Sequence, residues 1–525
     1  MSEQTPTSYR LENLTKVFPG VLAVDNVSLE VRRGEVHGII GKNGAGKSVT
    51  VGMIAGIIRP TSGALWIGNQ PVAVEQYTPG RAHELGVSLI PQEPLFSPDL
   101  SVTDNLFMGI PRKRQWGFVD HTQMRDLAHE IARRLTVQAD PRQKMKELPL
   151  EDQQLLAFGK ALFLEKARVI LLDEITASLP HHRKKLLLQF LGEAVRESSD
   201  LSFTLISHHI NEIIEFCDRV TVMRDGRAIQ TLNVAETTHE ELAALVVGDR
   251  PEANHNNNGN GNRRKGISAT QTGAGDATLL QVRGLRKQGA FTDVNFALGK
   301  GEVLGLAGLD GSGKNEVLEA LAGITPVDAG TIVINGTPVS INSPQDAQRC
   351  RIAYLPKKRE EQAVIHNRPV QDNILLPIFS KLRTAIGLID RQRGREIASQ
   401  KVVELNIKTP SLDTKIDHLS GGNRQKVVLS RVTLTEPLIL VLNEPTRGVD
   451  LATKPDILKM IRTRLTQNSG VIFTSESEEE LVETCDRILI FYRGKIQQVF
   501  LRNTEDFTVS KVYRAIQGIE LSEAG

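Results

Sequence analysis

The chain has 525 residues, 40% hydrophobic and 24% charged, with a net charge of +2. That length calls for two or more domains, and a balanced charge with only 4% aromatics argues against a nucleic-acid surface. No apolar run approaches the ~20 residues that span a bilayer, the start MSEQTPTSYRLENL has no apolar secretory core, and Cys217, Cys350 and Cys485, without metal spacing, suit a reducing cytosol.

In chain order, Phe18 has two readings, a ring that stacks on adenine and a core side chain. The run VHGII at 36–40 predicts a strand, GKNGAGKS at 41–48 a loop, and SVTVGMIAGI a helix. That order is the context of a phosphate-binding loop. Gly41, Gly44 and Gly46, with Asn43 and Ala45 beside them, let backbone N–H groups converge on phosphates. Lys47 reaches the terminal phosphate oxygens and Ser48 ligates Mg²⁺. Gln92, in SLIPQEPLF, is a loop residue suited to touch both metal and partner. LPLEDQQLLAFGKALF at 148–163 reads as a helix with proline and acids at its start. VILLDEITASL at 169–179 is an apolar strand ending on Asp173, suited to a metal, and Glu174, suited to polarise water. His208 ends a further apolar strand, SFTLIS, and its role depends on its neighbours.

The chain then repeats itself. GLDGSGKN at 308–315 answers GKNGAGKS, LILVLNEPTRGV at 438–449 answers VILLDEITASL, and TCDRILIFYRGK answers FCDRVTVMRDGR. Lys47 and Lys314 lie 267 positions apart, Glu174 and Glu444 270, and Cys217 and Cys485 268. A nearly constant offset means two copies of one domain. Between them residues 251–276 are rich in Asn and Gly and lack apolar periodicity, so they read as a flexible linker. The expected division is 1–250, 251–276 and 277–525, each copy alternating short strands with helices around parallel central strands.

The phosphate loop, Gln92, the acidic strand end and His208 occur in the order and spacing of ABC-transporter nucleotide-binding domains, and LSGGNRQK at 419–426 resembles their signature motif. VFPGVLAVDNVSLEVRRGEVHGIIGKNGAGKS, PQEP and LNEPTRGVD are similar to the tandem ATPase subunit of monosaccharide ABC importers, the ribose, galactose, xylose and autoinducer-2 group. The resemblance implies an α/β fold of two tandem P-loop ABC-type ATPase domains, each with a parallel core sheet, an antiparallel subdomain and a helical subdomain. It implies ATP and Mg²⁺ as cofactors and a head-to-tail pairing in which each ATP lies between one copy's phosphate loop and the other's signature.

Crossed in that way, the first composite site keeps Lys47, Ser48, Gln92, Asp173, Glu174 and His208 with Ser420, Gly421, Gly422 and Asn423. Ser48, Gln92 and Asp173 are its metal ligands, and Glu174, His208 and Gln92 its catalytic residues. Ile175 stands where the family usually has proline. The second site is degenerate. Gly311, Gly313, Lys314 and Glu444 remain, but Asn315 and Asn443 replace metal ligands and Lys357 replaces the loop glutamine. Ser475 or Glu476 falls at the histidine position, depending on a one-residue gap. The facing signature is LPLED, where Glu151 and Asp152 would repel phosphate. Two unit charges ~4 Å apart at an effective dielectric of ~20 repel by about 4 kcal/mol.

The implied partners are a pair of membrane permease subunits and, indirectly, a periplasmic or lipoprotein solute-binding protein, with no nucleic acid. The implied place is peripheral, at the cytoplasmic face of the inner membrane. The loops after Gln92 and around 357–374 should face the permease. Lys357, Lys358 and Arg359 read either as a solvated basic loop or as a specific contact. An ABC-F translation factor is the competing class. Its members resemble one another in keeping both signatures and in a charged helical linker, which this chain lacks. A DNA-repair ATPase would need sustained heptads, and none occur.

Overall fold

A computed structural model describes residues 6–92, 94–113, 118–175, 181–248, 278–384, 388–449 and 453–519. The linker reading at 251–276 lies outside the described residues. The chain divides into two compact units, 1–255 and 256–525.

Among the described residues each unit carries two sheets. In the first unit the larger sheet runs, edge to edge, Val87–Ile90, Val169–Asp173, Ser202–Ser207, Val36–Ile40, Arg219–Arg224 and Arg227–Asn233. All neighbours are parallel except the last pair. The second unit repeats the order as Ile352–Leu355, Ile439–Asn443, Gly470–Thr474, Val303–Ala307, Arg487–Tyr492 and Lys495–Leu501. Strands buried on both faces need unbroken apolar runs, which is why VHGII and ILVLN are buried throughout. Parallel strands end at one edge of the sheet. The segments after residues 40, 90, 173 and 207 therefore emerge together, where open α/β sheets bind ligands.

A four-stranded antiparallel sheet accompanies each core, ordered Val21–Arg32, Thr7–Phe18, Ser62–Ile67 and Gln70–Val72 in the first unit. Helices Val102–Phe107, His121–Arg134 and Leu150–Gly159 form the helical part there, and Val370–Leu375, Arg391–Glu404 and Gly421–Thr433 form it in the second unit. Their starts are set locally. Asp120 caps the amide of Gln123 at 3.1 Å and Asp390 that of Arg393 at 3.0 Å.

Each core also buries an ion pair at the start of its phosphate-loop strand. Glu35 contacts His37 at 2.7 Å and Arg219 at 3.4 Å. Glu302 meets Arg487 at 2.6 Å, with both side chains essentially sealed from solvent (0% and 1% exposed). Glu302 also accepts from the Gly299 amide at 2.6 Å. Removing one partner of such a pair leaves a bare buried charge. Glu302→Ala is therefore expected to destabilise the second unit by about 3–5 kcal/mol, read as a lower denaturant midpoint for that unit's unfolding transition.

Candidate nucleotide sites

In the first unit the loop 41–48 is shaped by close approaches. A Cβ on Gly41 would lie 2.2 Å from the Met223 carbonyl oxygen. One on Gly46 would lie 2.6 Å from the Ala23 oxygen, and Gly46 also takes φ +91°. Helix Lys47–Ile54 starts directly after it. Lys47 is buried and donates to the Gly41 and Lys42 carbonyls at 2.8 and 3.0 Å. It lies 4.0 Å from Glu174. Ala45 is buried, while Asn43, Gly44 and Ser48 are exposed at the mouth.

Ser48 Oγ donates to Asp173 Oδ1 at 3.1 Å. His208 Nδ1 stands 3.5 Å from Glu174 Oε1, and its ring lies 4.1 Å from that of His209. Glu174 holds φ +51°, a conformation that an L residue adopts at a cost of about 1–3 kcal/mol and that clusters at functional sites. Burial pushes the Glu174 carboxyl up, but the hydrogen bond and charge of His208, with Lys47, hold it below the ordinary range. Burial raises Asp173, against the Ser48 hydrogen bond. Two carboxyls with opposite shifts thus share one sheet edge.

Phe18 and Gln92 make contacts of their own. Phe18 is 37% exposed, so it is not a core side chain, and Lys16 Nζ sits 4.9 Å above its ring. It ends the strand whose hairpin partner passes the loop at Ala23. Gln92 is exposed, and its carbonyl accepts from Gln154 Nε2 at 2.8 Å.

The second unit keeps the frame and changes the chemistry. Lys314 donates to the Gly308 carbonyl. Gly311 and Gly313 take φ +76° and +97°, and Glu444 repeats the left-handed conformation at +50°. Asn443 Oδ1 accepts from Thr474 Oγ1 at 2.9 Å, and Thr474 Oγ1 accepts from the Glu444 amide at 3.1 Å. Asn315 is half-buried on the first turn of helix Lys314–Leu321. Lys357 Nζ approaches Glu444 at 2.8 Å, Glu476 at 3.2 Å and Asp310 at 3.4 Å.

The histidine position is resolved as Glu476. Ser475 Oγ donates to Glu480 at 2.6 Å and accepts from the Ser477 amide at 3.0 Å. Ser207 makes the same two bonds with Glu212 and the His209 amide, at 2.7 and 3.0 Å. Ser475 therefore matches Ser207, and Glu476 matches His208.

Two expectations are corrected. The cluster at 357–359 is not simply a solvated basic loop. Lys357 and Arg359 turn inward, and Lys358, the exposed member, pairs with Glu361 at 3.3 Å. The acids of LPLED are not bare either. Arg183, from helix His181–Glu197, pairs with Asp152 and lies 3.8 Å from Glu151. That guanidinium offsets one of the two negative charges. Pro149 is the N-cap of the helix that follows, as the sequence implied.

The intact signature is built differently. Ser420 is exposed and caps helix Gly421–Thr433, accepting from the Asn423 amide at 3.4 Å. Asn423 accepts from the Lys408 amide at 2.8 Å. A Cβ on Gly421 would lie 2.7 Å from the Gly448 oxygen, and one on Gly422 would lie 2.7 Å from the Thr453 side chain. Arg183 and Asp310 are the residues that sequence reasoning did not single out. Asp310 was visible in GLDGSGKN, but nothing in HHRKK marked Arg183.

The ABC transporter family model matches residues 24–177 and 291–447. A ribose import ATP-binding protein of Rubrobacter xylanophilus is 36% identical over 520 residues, covering 97% of this chain and 98% of its own length. A protein of Agrobacterium fabrum, provisionally named a ribose/galactose/methyl galactoside import ATP-binding protein, is 36% identical over 491 residues, with 93% and 94% covered. A ribose import ATP-binding protein of Burkholderia ambifaria is 35% identical over 491 residues, with 94% of each chain covered.

Glu444 gives a pH prediction. Its carboxyl is pushed up to about 7, by burial first and then by Glu476, against the pull of Lys357 and Lys314. The folded value lies above the ordinary 4.5, so this group's stabilisation is full below 4.5 and lost as pH rises through about 7. Glu444→Gln, which cannot ionise, is expected to gain melting temperature relative to the native chain on going from pH 5 to pH 8. Thermal unfolding at the two pH values checks the sign.

Proposed function

The chain belongs to the ABC transporter family, and from that premise we propose that it is the ATPase subunit that powers import of a sugar through a separate membrane permease. The relatives matched along nearly the whole chain are named for ribose or galactose import. Among the described residues no helix is long and apolar enough to cross a membrane, so passage of the solute falls to other subunits. The expected partners are a permease pair and, through it, a solute-binding protein. The chain would lie on the cytoplasmic face of the inner membrane.

One observation carries the finer reading. The first unit's loop retains every chemical group that hydrolysis needs, while the second unit has amides, a lysine and a glutamate at the corresponding positions. The competent site is therefore assigned to Gly41–Ser48, Gln92, Asp173, Glu174 and His208, completed by Ser420–Asn423. Lys47 leaves its loop carbonyls for the phosphate oxygens, and the backbone N–H groups of the loop complete the cradle. Phe18, exposed at its hairpin end, stacks on the base. Ser48 and Asp173 already share a hydrogen bond at the mouth, an oxygen donor set that suits Mg²⁺. With Gln92 they would hold the ion, which supplies charge neutralisation at the phosphates. Glu174 stays ionised beside His208 and polarises the attacking water, and His208 keeps that carboxylate oriented. Helix Gly421–Thr433 offers its N-terminus to the anion. The second unit's site turns nothing over and serves as a hinge.

Glu174→Gln is expected to lower kcat by about 100-fold or more, the usual loss with a general base. Glu444→Gln should keep hydrolysis within about threefold, because Glu476 and Asp310 still hold Lys357. Steady-state ATPase assays on the full chain decide. Substantial hydrolysis in the first variant, or its abolition in the second, would reverse the assignment.

A further inference from the structure

The segment that carries Lys357 is tied at both ends. At one end its ammonium joins three acids from three segments: Asp310 of the phosphate loop, Glu444 after strand Ile439–Asn443, and Glu476 after strand Gly470–Thr474. Burial would lower the Lys357 ammonium, but those acids outweigh it and hold it protonated above the ordinary lysine range. Two residues on, Arg359 is buried and donates through Nη1 to the Gly421 carbonyl at 3.2 Å and to Gln425 Oε1 at 2.9 Å. Glu360 accepts from Arg424 at 2.9 Å and from Arg359 at 2.8 Å. The ends of the core strands are thus wired to the first turn of helix Gly421–Thr433 through four consecutive residues. Gln92 and Pro94 stand at the positions of Lys357 and Arg359 in the first unit, and neither carries charge. There the tie is the neutral bond from Gln154 to the Gln92 carbonyl.

A metal-bound nucleotide can bridge these strand-end loops only while it is bound. A lysine held between three acidic side chains bridges them without a ligand. We propose that Lys357 and Arg359 are positioning residues, a built-in salt-bridge strap that holds the signature turn Ser420–Asn423 in place with no nucleotide in the second unit. The consequence for hydrolysis rests on the reading that this turn serves the first unit's loop. Arg359 holds the Gly421 carbonyl, and Gly448 packs against Gly421 at a distance only glycine permits. The losses at Asn315, Asn443 and the histidine position then accompany a gain. The second unit's site gives up a ligand and keeps the bridging that the ligand would supply.

The test is hydrogen exchange of the full chain without nucleotide, beside ATPase kinetics. Lys357→Met and Arg359→Met should speed exchange of the amides at 421–425 by about tenfold or more, while strand Val303–Ala307 keeps its protection. In the same variants kcat should fall about tenfold with KM for ATP within about twofold. Lys357→Arg, which keeps the charge, should restore both. Native exchange at 421–425 in both methionine variants overturns the strap, and so does failure of Lys357→Arg to restore it. Faster exchange with an unchanged kcat supports the strap and overturns instead the reading that this signature serves hydrolysis. Loss of protection throughout both units would mean a general stability role and overturn the strap as well.

Discussion

A glutamate held in left-handed backbone at the end of a buried strand has to be neutralised, and what neutralises it decides what each unit can do. Glu174 and Glu444 occupy the same position with almost the same φ, +51° and +50°. Around Glu174 the nearest cationic partners are Lys47, committed to the phosphate loop, and His208, on the neighbouring strand end. Around Glu444 the nearest cation is Lys357, fixed between three acids. The first arrangement pairs the carboxylate with a loop lysine and a histidine. The second uses the carboxylate as one corner of an ionic frame. Neither outcome needs a change in the sheet.

The sheet is indeed unchanged, and the ion pairs that merely hold it are the ones repeated. Glu35–Arg219 returns as Glu302–Arg487, and Lys184–Glu212 at 2.6 Å returns as Lys454–Glu480 at 3.0 Å. Ser207 and Ser475 make the same bonds. Structural charges are locked into cores where losing one partner is costly, so both copies keep them. The site residues that differ lie at the strand ends and the loops after them, where they change the chemistry.

That division explains how far the sequence could be read. The strands at 36–40 and 169–173, the loop between residues 41 and 48, and the helix after Pro149 follow from local signals: apolar runs, glycine spacing, and proline with acids in a first turn. The repeat made the second unit legible by offset alone. What escaped were partners far apart in sequence. Asp152 and Arg183 are 31 positions apart, and Lys357 and Glu476 are 119. Only the packing of helices on the sheet decides that they meet. The choice between Ser475 and Glu476 stayed open for the same reason: offsets of 267 and 268 compete there, and the serine's bonds to Glu480 and the Ser477 amide settle it.

The two signature turns carry the argument one step further. Each helix start has to be anchored to the segment that packs beside it, because a helix N-terminus leaves amides unpaired. In the second unit the anchor is close backbone approach, with Gly421 against Gly448 and Gly422 against Thr453, and Ser420 left exposed as the cap. In the first unit bulkier Leu150 and Glu151 stand at the glycine positions, Arg183 replaces Thr453, and an ion pair to Asp152 does the anchoring. Glycines anchor while keeping the amides open to an anion. A guanidinium and two acids anchor by satisfying one another, and the helix dipole is met by its own side chains. The same architectural need thus has two solutions, one built on glycines and close backbone approach, the other on charge.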